Sequence, residues 1–178
     1  MLGKVKDRDS FAFLESSISR KSHNAMAQTA IYNALAELED EKSWDYLIRG
    51  AEYGAHRNSR QAAMRALAKL AHRYPYRKVE VVEHLTRFAH EKRGTPAATF
   101  RGKLGAIMAM KQLDDLSVVP ALRQIVDNET DGRLQRRAED TISYLRESAK
   151  KPKEMKEIRS ELDSVITENK LLRERMNI

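Results

Sequence analysis

Five histidines are the side chains best suited to bind a metal ion or to move a proton near neutral pH. A helical zinc site needs two histidines four residues apart, and no pair in this chain has that spacing. A metal site also needs several ligands that converge on one point. We therefore interpret the histidines as solvated or structural. They are His23, His56, His72, His84 and His90.

Other side chains with catalytic potential also lack a reactive pattern. The chain has no cysteine, which excludes disulfides, thiolate metal ligands and a cysteine nucleophile. The acidic runs Asp114-Asp115 and Glu39-Asp40-Glu41 fall where helices meet turns, so we interpret them as caps or solvated charge. No glycine-rich loop could hold a phosphate. We expect no catalytic residue, cofactor or metal, and therefore no enzymatic activity in this chain.

The cationic residues are the one group with a candidate binding role. The formal net charge is +7, and no acidic residue lies between Gly54 and Val79. Such a surface could bind an acidic protein or a phosphate backbone, and it could equally be a solvated face. We call these seven residues the basic ridge: Arg57, Arg60, Arg65, Lys69, Arg73, Arg77 and Lys78.

Composition indicates an all-α protein. Hydrophobic residues make up 41% of the 178 residues and aromatics only 6%, so alanine and leucine must supply most of the core. The low counts of 7 glycines and 4 prolines favour long helices with short connections. No segment has the apolar length of a membrane helix, and the first residues lack the apolar core of a signal peptide. We expect a cytoplasmic protein without a membrane partner.

Apolar periodicity and turn residues predict a series of helices. Ser10 is the expected cap of the first helix, Ala30 is expected on the inner face of the second, and Gly54 is expected to end the third. Large aromatics are rare, so Trp44 is expected to be packed. The predicted helices begin near Ser10, Asn24, Lys42, Arg57, Val79, Ala97, Val118 and Arg133.

Every second helix carries the same pattern. When these helices are aligned on their last leucine, the aligned leucines lie 32, 43 and 32 residues apart. A helix pair every 30–45 residues is typical of an α-solenoid, so we predict about four antiparallel helix pairs. An ordinary helical bundle is the alternative. The aligned columns are Leu38, Leu70, Leu113 and Leu145; Ala34, Ala66, Ala109 and Thr141; Leu35, Leu67, Met110 and Ile142; and Ile31, Ala63, Ala106 and Ala138.

The unit Arg60-x-x-Ala63-x-x-Ala66-Leu67-x-x-Leu70 resembles a HEAT-type repeat, in which an arginine precedes an inner alanine-leucine face. Roughly residues 10–146 are also similar to the C-terminal HEAT-like domain of microbial aminopeptidase N type zinc metallopeptidases. Four segments carry that second resemblance: Leu35-Ala36-Glu37-Leu38-Glu39-Asp40, Tyr53-Gly54, Val119-Pro120-Ala121-Leu122 and Asp131-Gly132-Arg133-Leu134-Gln135-Arg136-Arg137-Ala138.

This resemblance implies that the chain is a fragment whose catalytic domain is absent. The family's catalytic domain carries an H-E-x-x-H zinc helix, and the closest string here, His90-Glu91-Lys92-Arg93, lacks the second histidine. The implied role is a non-catalytic domain for intramolecular packing or protein–protein interaction. The missing catalytic domain or another polypeptide would be the partner. A free-standing scaffold and a nucleic-acid-binding protein that uses the basic ridge are the alternatives.

The C-terminal residues follow a heptad pattern, which predicts a helical-repeat domain at residues 1–149 and a separate helix at 150–178. Apolar residues alternate by three and four, with an asparagine at one a position. Glu154 could face Arg159, and Glu168 could face Arg173, of a second chain. We expect a coiled-coil homodimer, with capping of the repeats or fraying as alternatives. The self-association residues are Met155, Ile158, Leu162, Val165, Asn169, Leu172 and Met176.

Overall fold

The computed structural model describes residues 8–20, 22–150 and 153–176, and these ranges contain helices and turns but no strand. The chain is therefore all-α in its described part, as predicted. The α-helices are α1 (Arg8–Ser17), α2 (Met26–Leu38), α3 (Trp44–Ala51), α4 (Arg57–Arg73), α5 (Lys78–Ala89), α6 (Pro96–Leu113), α7 (Val119–Asn128), α8 (Gly132–Lys150) and α9 (Lys153–Met176).

The chain divides into two units, Met1–Leu145 and Arg146–Ile178, and the division falls within α8. The predicted boundary between residues 149 and 150 stays a prediction. No helix in the described ranges combines the length and the apolar character that crossing a bilayer requires.

Helix α4 is the centre of the first unit, because it packs against α2, α3, α5 and α6. Its small residues Ala62, Ala63 and Ala66 are 0–3% exposed, and this allows close approach of the neighbouring helices. Leu67 and Leu70 are fully buried between them, and each stabilises the fold by about 2 kcal/mol relative to an exposed leucine.

Short polar turns connect the helices and supply their caps. Thr95 accepts a hydrogen bond from the Ala98 amide at the start of α6, where Pro96 occupies the first helical position. Asp115 accepts one from the Ser117 amide at 2.8 Å, in the 3-10 turn before α7. These caps allow the helices to follow one another with short connections.

The aligned columns of the repeat coincide with buried positions. The four aligned leucines are at most 8% exposed, and the columns that begin with Leu35 and Ile31 are buried throughout. Ala34 is half-buried and is the one exception among the aligned residues. Helix α4 contacts both α2 and α6, so the copy of the pattern on α4 is a neighbour of the copies on those two helices.

Three local predictions were wrong. Helix α1 begins at Arg8, so Ser10 is a buried residue of its first turn and not its cap. Helix α3 ends at Ala51, and Gly54 lies in the following turn with φ 98°, a conformation that glycine adopts at no steric cost. Ala30 is exposed, because the buried stripe of α2 runs through Ile31 and Leu35.

Trp44 is packed, as predicted, and connects α3 to α5. Its ring is 2% exposed, and its Nε1 donates a hydrogen bond to Glu80 Oε1 at 3.1 Å. The Arg77 guanidinium lies 4.9 Å from the ring centroid and pairs with Glu80 and Glu41. This cluster joins the start of α3 to the start of α5.

In the second unit, α9 is a 24-residue helix, which agrees with the predicted helix at the C-terminus. Ile158, Leu162, Val165 and Leu172 are 51–59% exposed, and Asn169 is exposed as well. Predictions for the side chains of Met155 and Met176 lie outside what the structure describes. The a and d positions that it does describe leave an apolar stripe uncovered.

Candidate binding surface

Helix α4 exposes a strip of four side chains, and three of them are arginines. Arg57, Arg65 and Arg73 lie eight residues apart, which is about 12 Å along the helix axis and roughly 80° around it between successive positions. None of the three forms an ion pair with a residue in the described ranges. These guanidinium groups remain available for an anionic partner.

The structure places Arg60 away from this strip, inside the first unit. The residue is 6% exposed, and its Nε donates a hydrogen bond to the Ala51 carbonyl at 2.7 Å. Its Cζ lies 5.4 Å from the centroid of the Phe88 ring. The prediction that Arg60 belongs to the basic ridge was wrong. Arg60 lies four residues before the buried Met64, so both residues are on the inner face of α4, and the Arg60 side chain points toward α5.

The remaining ridge residues are already paired. Lys69 Nζ lies 2.5 Å from Glu37 Oε1, and Lys78 Nζ lies 2.7 Å from Asp115 Oδ2. Arg77 pairs with two carboxylates in the Trp44 cluster described above. Most of the charge of these three residues is therefore compensated within the fold.

Helix α6 continues the exposed strip of α4. Gln61 Nε2 donates a hydrogen bond to the Arg101 carbonyl at 2.9 Å, and a ring nitrogen of His72 lies 3.0 Å from the Gln112 carbonyl. These two contacts hold the strips side by side along about three turns of helix. Arg101 and Met108 are exposed on the α6 strip.

Helix α8 borders the other side of α6. The Arg133 guanidinium lies 4.2 Å from the centroid of the Phe100 ring, and Lys111 Nζ lies 4.4 Å from that of Tyr144. The three strips therefore form one surface, which we call the basic face. Its cations are Arg57, Arg65, Lys69, Arg73, Arg101, Lys111, Arg133, Arg136 and Arg137.

An open groove of about 680 Å³ crosses the basic face between α4, α6 and the start of α8. Its apolar lining comes from α6, and charged side chains border it on both sides. Such a groove can accept apolar side chains while its arginines hold carboxylates or phosphates. The residues that line it are Gln61, Pro96, Ala97, Phe100, Arg101, Leu104, Asp131 and Arg133.

Asp131 reduces the positive charge of the groove, because its carboxylate pairs with Arg133. Hydrogen bonds from Arg133, at 3.0 Å from Nε and 2.7 Å from Nη2, lower the pKa of Asp131 to about 2. The carboxylate is therefore ionised at neutral pH and compensates Arg133. Arg101, Arg136 and Arg137 have no such partner in the described ranges.

The histidines do not converge. In the described ranges no three metal-ligating side chains lie close enough to hold an ion. Burial and the nearby Arg87 lower the pKa of His84, and burial and Lys103 lower that of His90. Both imidazoles are therefore neutral at physiological pH.

Reasoning from sequence missed the contribution of α8 to the basic face. Arg101 and Arg133 both stand twelve residues before their aligned leucines, Leu113 and Leu145. This shared column was the signal that could have placed them on one surface. Comparison with protein-family models gives no match to the chain, and comparison with the sequences of curated proteins gives none either.

Proposed function

We propose that this chain is a non-catalytic helical-repeat domain that packs against an acidic protein surface through its basic face. The observation that carries the proposal is the set of exposed, uncompensated arginines on adjacent helices, headed by Arg57, Arg65 and Arg73. Arginine suits a protein interface because its planar group binds carboxylates with two parallel hydrogen bonds.

The architecture proposed for this domain is a HEAT-like α-solenoid of four helix pairs. Two facts support it: the aligned leucines are buried in every copy, and α4 packs against both α2 and α6. In a solenoid each repeat contacts its neighbours, and the aligned helices together present an extended binding surface. The basic face lies on those aligned helices, α4, α6 and α8.

The proposed context is the C-terminal portion of an aminopeptidase-like metalloprotein, with that protein's catalytic domain as the acidic partner. The sequence resemblance described above supports this context. Sequencing the genomic reading frame upstream of the Met1 codon tests it. We expect an in-frame H-E-x-x-H motif. A stop codon directly upstream of the Met1 codon would contradict this context and leave a free-standing scaffold that binds a separate polypeptide.

Binding through the basic face is tested with three charge-neutralising substitutions, Arg57→Gln, Arg65→Gln and Arg73→Gln. Glutamine keeps the helix propensity of arginine, so the fold should persist. The matched control replaces three exposed cations outside the face, Arg20, Lys42 and Arg123, with glutamine. In isothermal titration with the upstream domain, we expect the first variant alone to lose at least about tenfold in affinity, or roughly 1.4 kcal/mol.

The second candidate function is binding of duplex nucleic acid. The exposed cations on three helices favour it, because such a surface can reach several phosphates of one duplex. Fluorescence anisotropy with a duplex of mixed sequence over a salt series tests it. If this function is correct, the triple arginine variant lowers the salt slope by about 3, close to one per lost phosphate contact. No binding by the wild type at low salt would exclude it.

A further inference from the structure

Helix α9 carries an exposed apolar stripe, none of whose residues belongs to the basic face. Ile158, Leu162, Val165 and Leu172 follow one another by four, three and seven residues. This spacing keeps them on a narrow seam of an α-helix, the width that a partner helix covers in a coiled coil. A seam of this kind left in water exposes apolar area that a second helix would bury.

We infer that α9 pairs with α9 of a second copy of this chain as a parallel, in-register, two-stranded coiled coil. The proposal does not depend on the function of the basic face. Leu162 and Asn169 occupy a positions of the heptad, and Ile158, Val165 and Leu172 occupy d positions.

Asn169 argues for a second copy as the partner. Asn169 Nδ2 donates a hydrogen bond to the Val165 carbonyl at 3.1 Å, but against an apolar side chain the amide oxygen would be buried without a donor, which is costly. Against its own copy, the two amides hydrogen-bond to each other, which also fixes the register and favours two strands. This preference opposes that of β-branched Ile158 and Val165, whose d positions favour larger assemblies.

The sequence of charges that flank the seam selects the parallel orientation. In a parallel pair a g residue faces the e residue five positions further along the other chain. Glu154 then meets Arg159, Glu168 meets Arg173, and Glu161 meets no like charge. In an antiparallel pair, g faces g and e faces e. Glu168 then faces a glutamate of the other chain, which is an unfavourable contact that the parallel pair avoids.

Sedimentation equilibrium of the full chain tests the stoichiometry. Three heptads form a short coil, so we expect a dimer of about twice 20.4 kDa that forms at high micromolar concentration and dissociates on dilution. The double variant Leu162→Glu and Val165→Glu should be monomeric at the same concentration. The matched control, Ser160→Glu and Ser164→Glu, adds the same charge at exposed f and c positions and should still dimerise.

The orientation is tested with single cysteines, because the chain has none of its own. Leu172→Cys places two thiols opposite each other in a parallel, in-register pair and far apart in an antiparallel one. Ser160→Cys, at the outer f position, is the control. Mild oxidation should convert the Leu172→Cys variant, but not the control, to a disulfide-linked dimer.

Three results would overturn the inference. The first is a monomer at high micromolar concentration for the wild type. The second is a trimer or tetramer. The third is a dimer in which the thiol at position 172 crosslinks no faster than the thiol at position 160, because that dimer is not parallel and in register.

Discussion

Arg60 Nη2 lies 2.6 Å from Glu91 Oε2, and the side chains of both residues are less than 10% exposed. The contact is an ion pair, and Arg60 Nη2 has no hydrogen-bond partner among the described residues. It fixes the middle of the first unit, since Arg60 belongs to α4 and Glu91 follows the end of α5. Gly102 of α6 leaves space for it, as a Cβ there would lie 2.9 Å from Arg60 Nη1.

Removing one partner of this buried pair should destabilise the fold. Glu91→Gln leaves a buried guanidinium without its counter-charge, and we expect a loss of about 3 kcal/mol in the free energy of unfolding, measured in urea. Replacing both residues with leucine should recover most of that loss. Glu83→Gln, at an exposed position of α5, is the control and should change stability by less than about 0.5 kcal/mol. If the Glu91→Gln and Glu83→Gln variants were equally stable, the ion pair between Arg60 and Glu91 would not stabilise the fold.

A charge on the alanine face of α4 should prevent close packing. Ala63 is fully buried, so Ala63→Glu places an unpaired carboxylate between helices, and we expect the cooperative thermal transition to be lost or lowered by more than about 10 °C. Ala30→Glu makes the same exchange at an exposed position of α2 and should leave the transition nearly unchanged. Circular dichroism measures both. An unchanged transition in the Ala63→Glu variant would show that this face is not buried.

Gly50 is required by the close approach of Tyr32 to α3. A Cβ at Gly50 would lie 2.4 Å from Cζ of the buried Tyr32 ring, so the ring or the helix would have to shift. The clash outweighs the gain in helix propensity, and we expect Gly50→Ala to destabilise the fold by about 1–2 kcal/mol. Gly132→Ala is the matched control, because the nearest atom to a Cβ there is Gln135 Oε1 at 3.9 Å. Chemical denaturation should show no loss for the control.

The pair between Lys78 and Asp115 should make stability depend on acid pH. Burial opposes ionisation of Asp115, but hydrogen bonds from Lys78 and Ser117 outweigh it and lower the pKa from 3.8 to about 2. A carboxyl whose folded pKa is lowered stabilises the fold above its ordinary pKa. That contribution is lost as the pH falls through the folded value.

The variant Asp115→Asn tests this dependence. Its melting temperature should lie below that of the wild type at about pH 5, and the difference should shrink as the pH falls to about 2. Asp127→Asn, at an exposed position of α7, removes the same charge and serves as the control. A difference between Asp115→Asn and wild type that is constant with pH would exclude an ionic contribution from Asp115.

Helix positions and the buried columns could be predicted from the sequence, because apolar periodicity and burial have the same physical cause. The register of Leu38, Leu70 and Leu113 is an example. The burial of Arg60 could not be predicted from the sequence. Its guanidinium is as polar as that of Arg57, and only the position of Glu91 in space makes its burial tolerable.

The binding surface was predictable only in part for a related reason. The cations between Gly54 and Val79 form a run without acids, but no local pattern indicates which of them meet a carboxylate within the fold. Lys78 meets Asp115 across 37 residues, whereas Arg65 has no ion-pair partner in the described ranges. Ion pairing between residues so far apart in sequence depends on tertiary packing, which local sequence patterns do not indicate.

Site-specific photocrosslinking in the source cells tests the central claim most directly. Met108 is 45% exposed on the basic face and carries no charge, so benzoylphenylalanine at position 108 leaves every cation in place. The same group at Leu116, 49% exposed in the turn before α7, is the control. If the basic face binds a protein, position 108 should form a protein adduct that resists nuclease, and position 116 should form none. A nuclease-sensitive adduct, or no adduct at position 108, would contradict this claim.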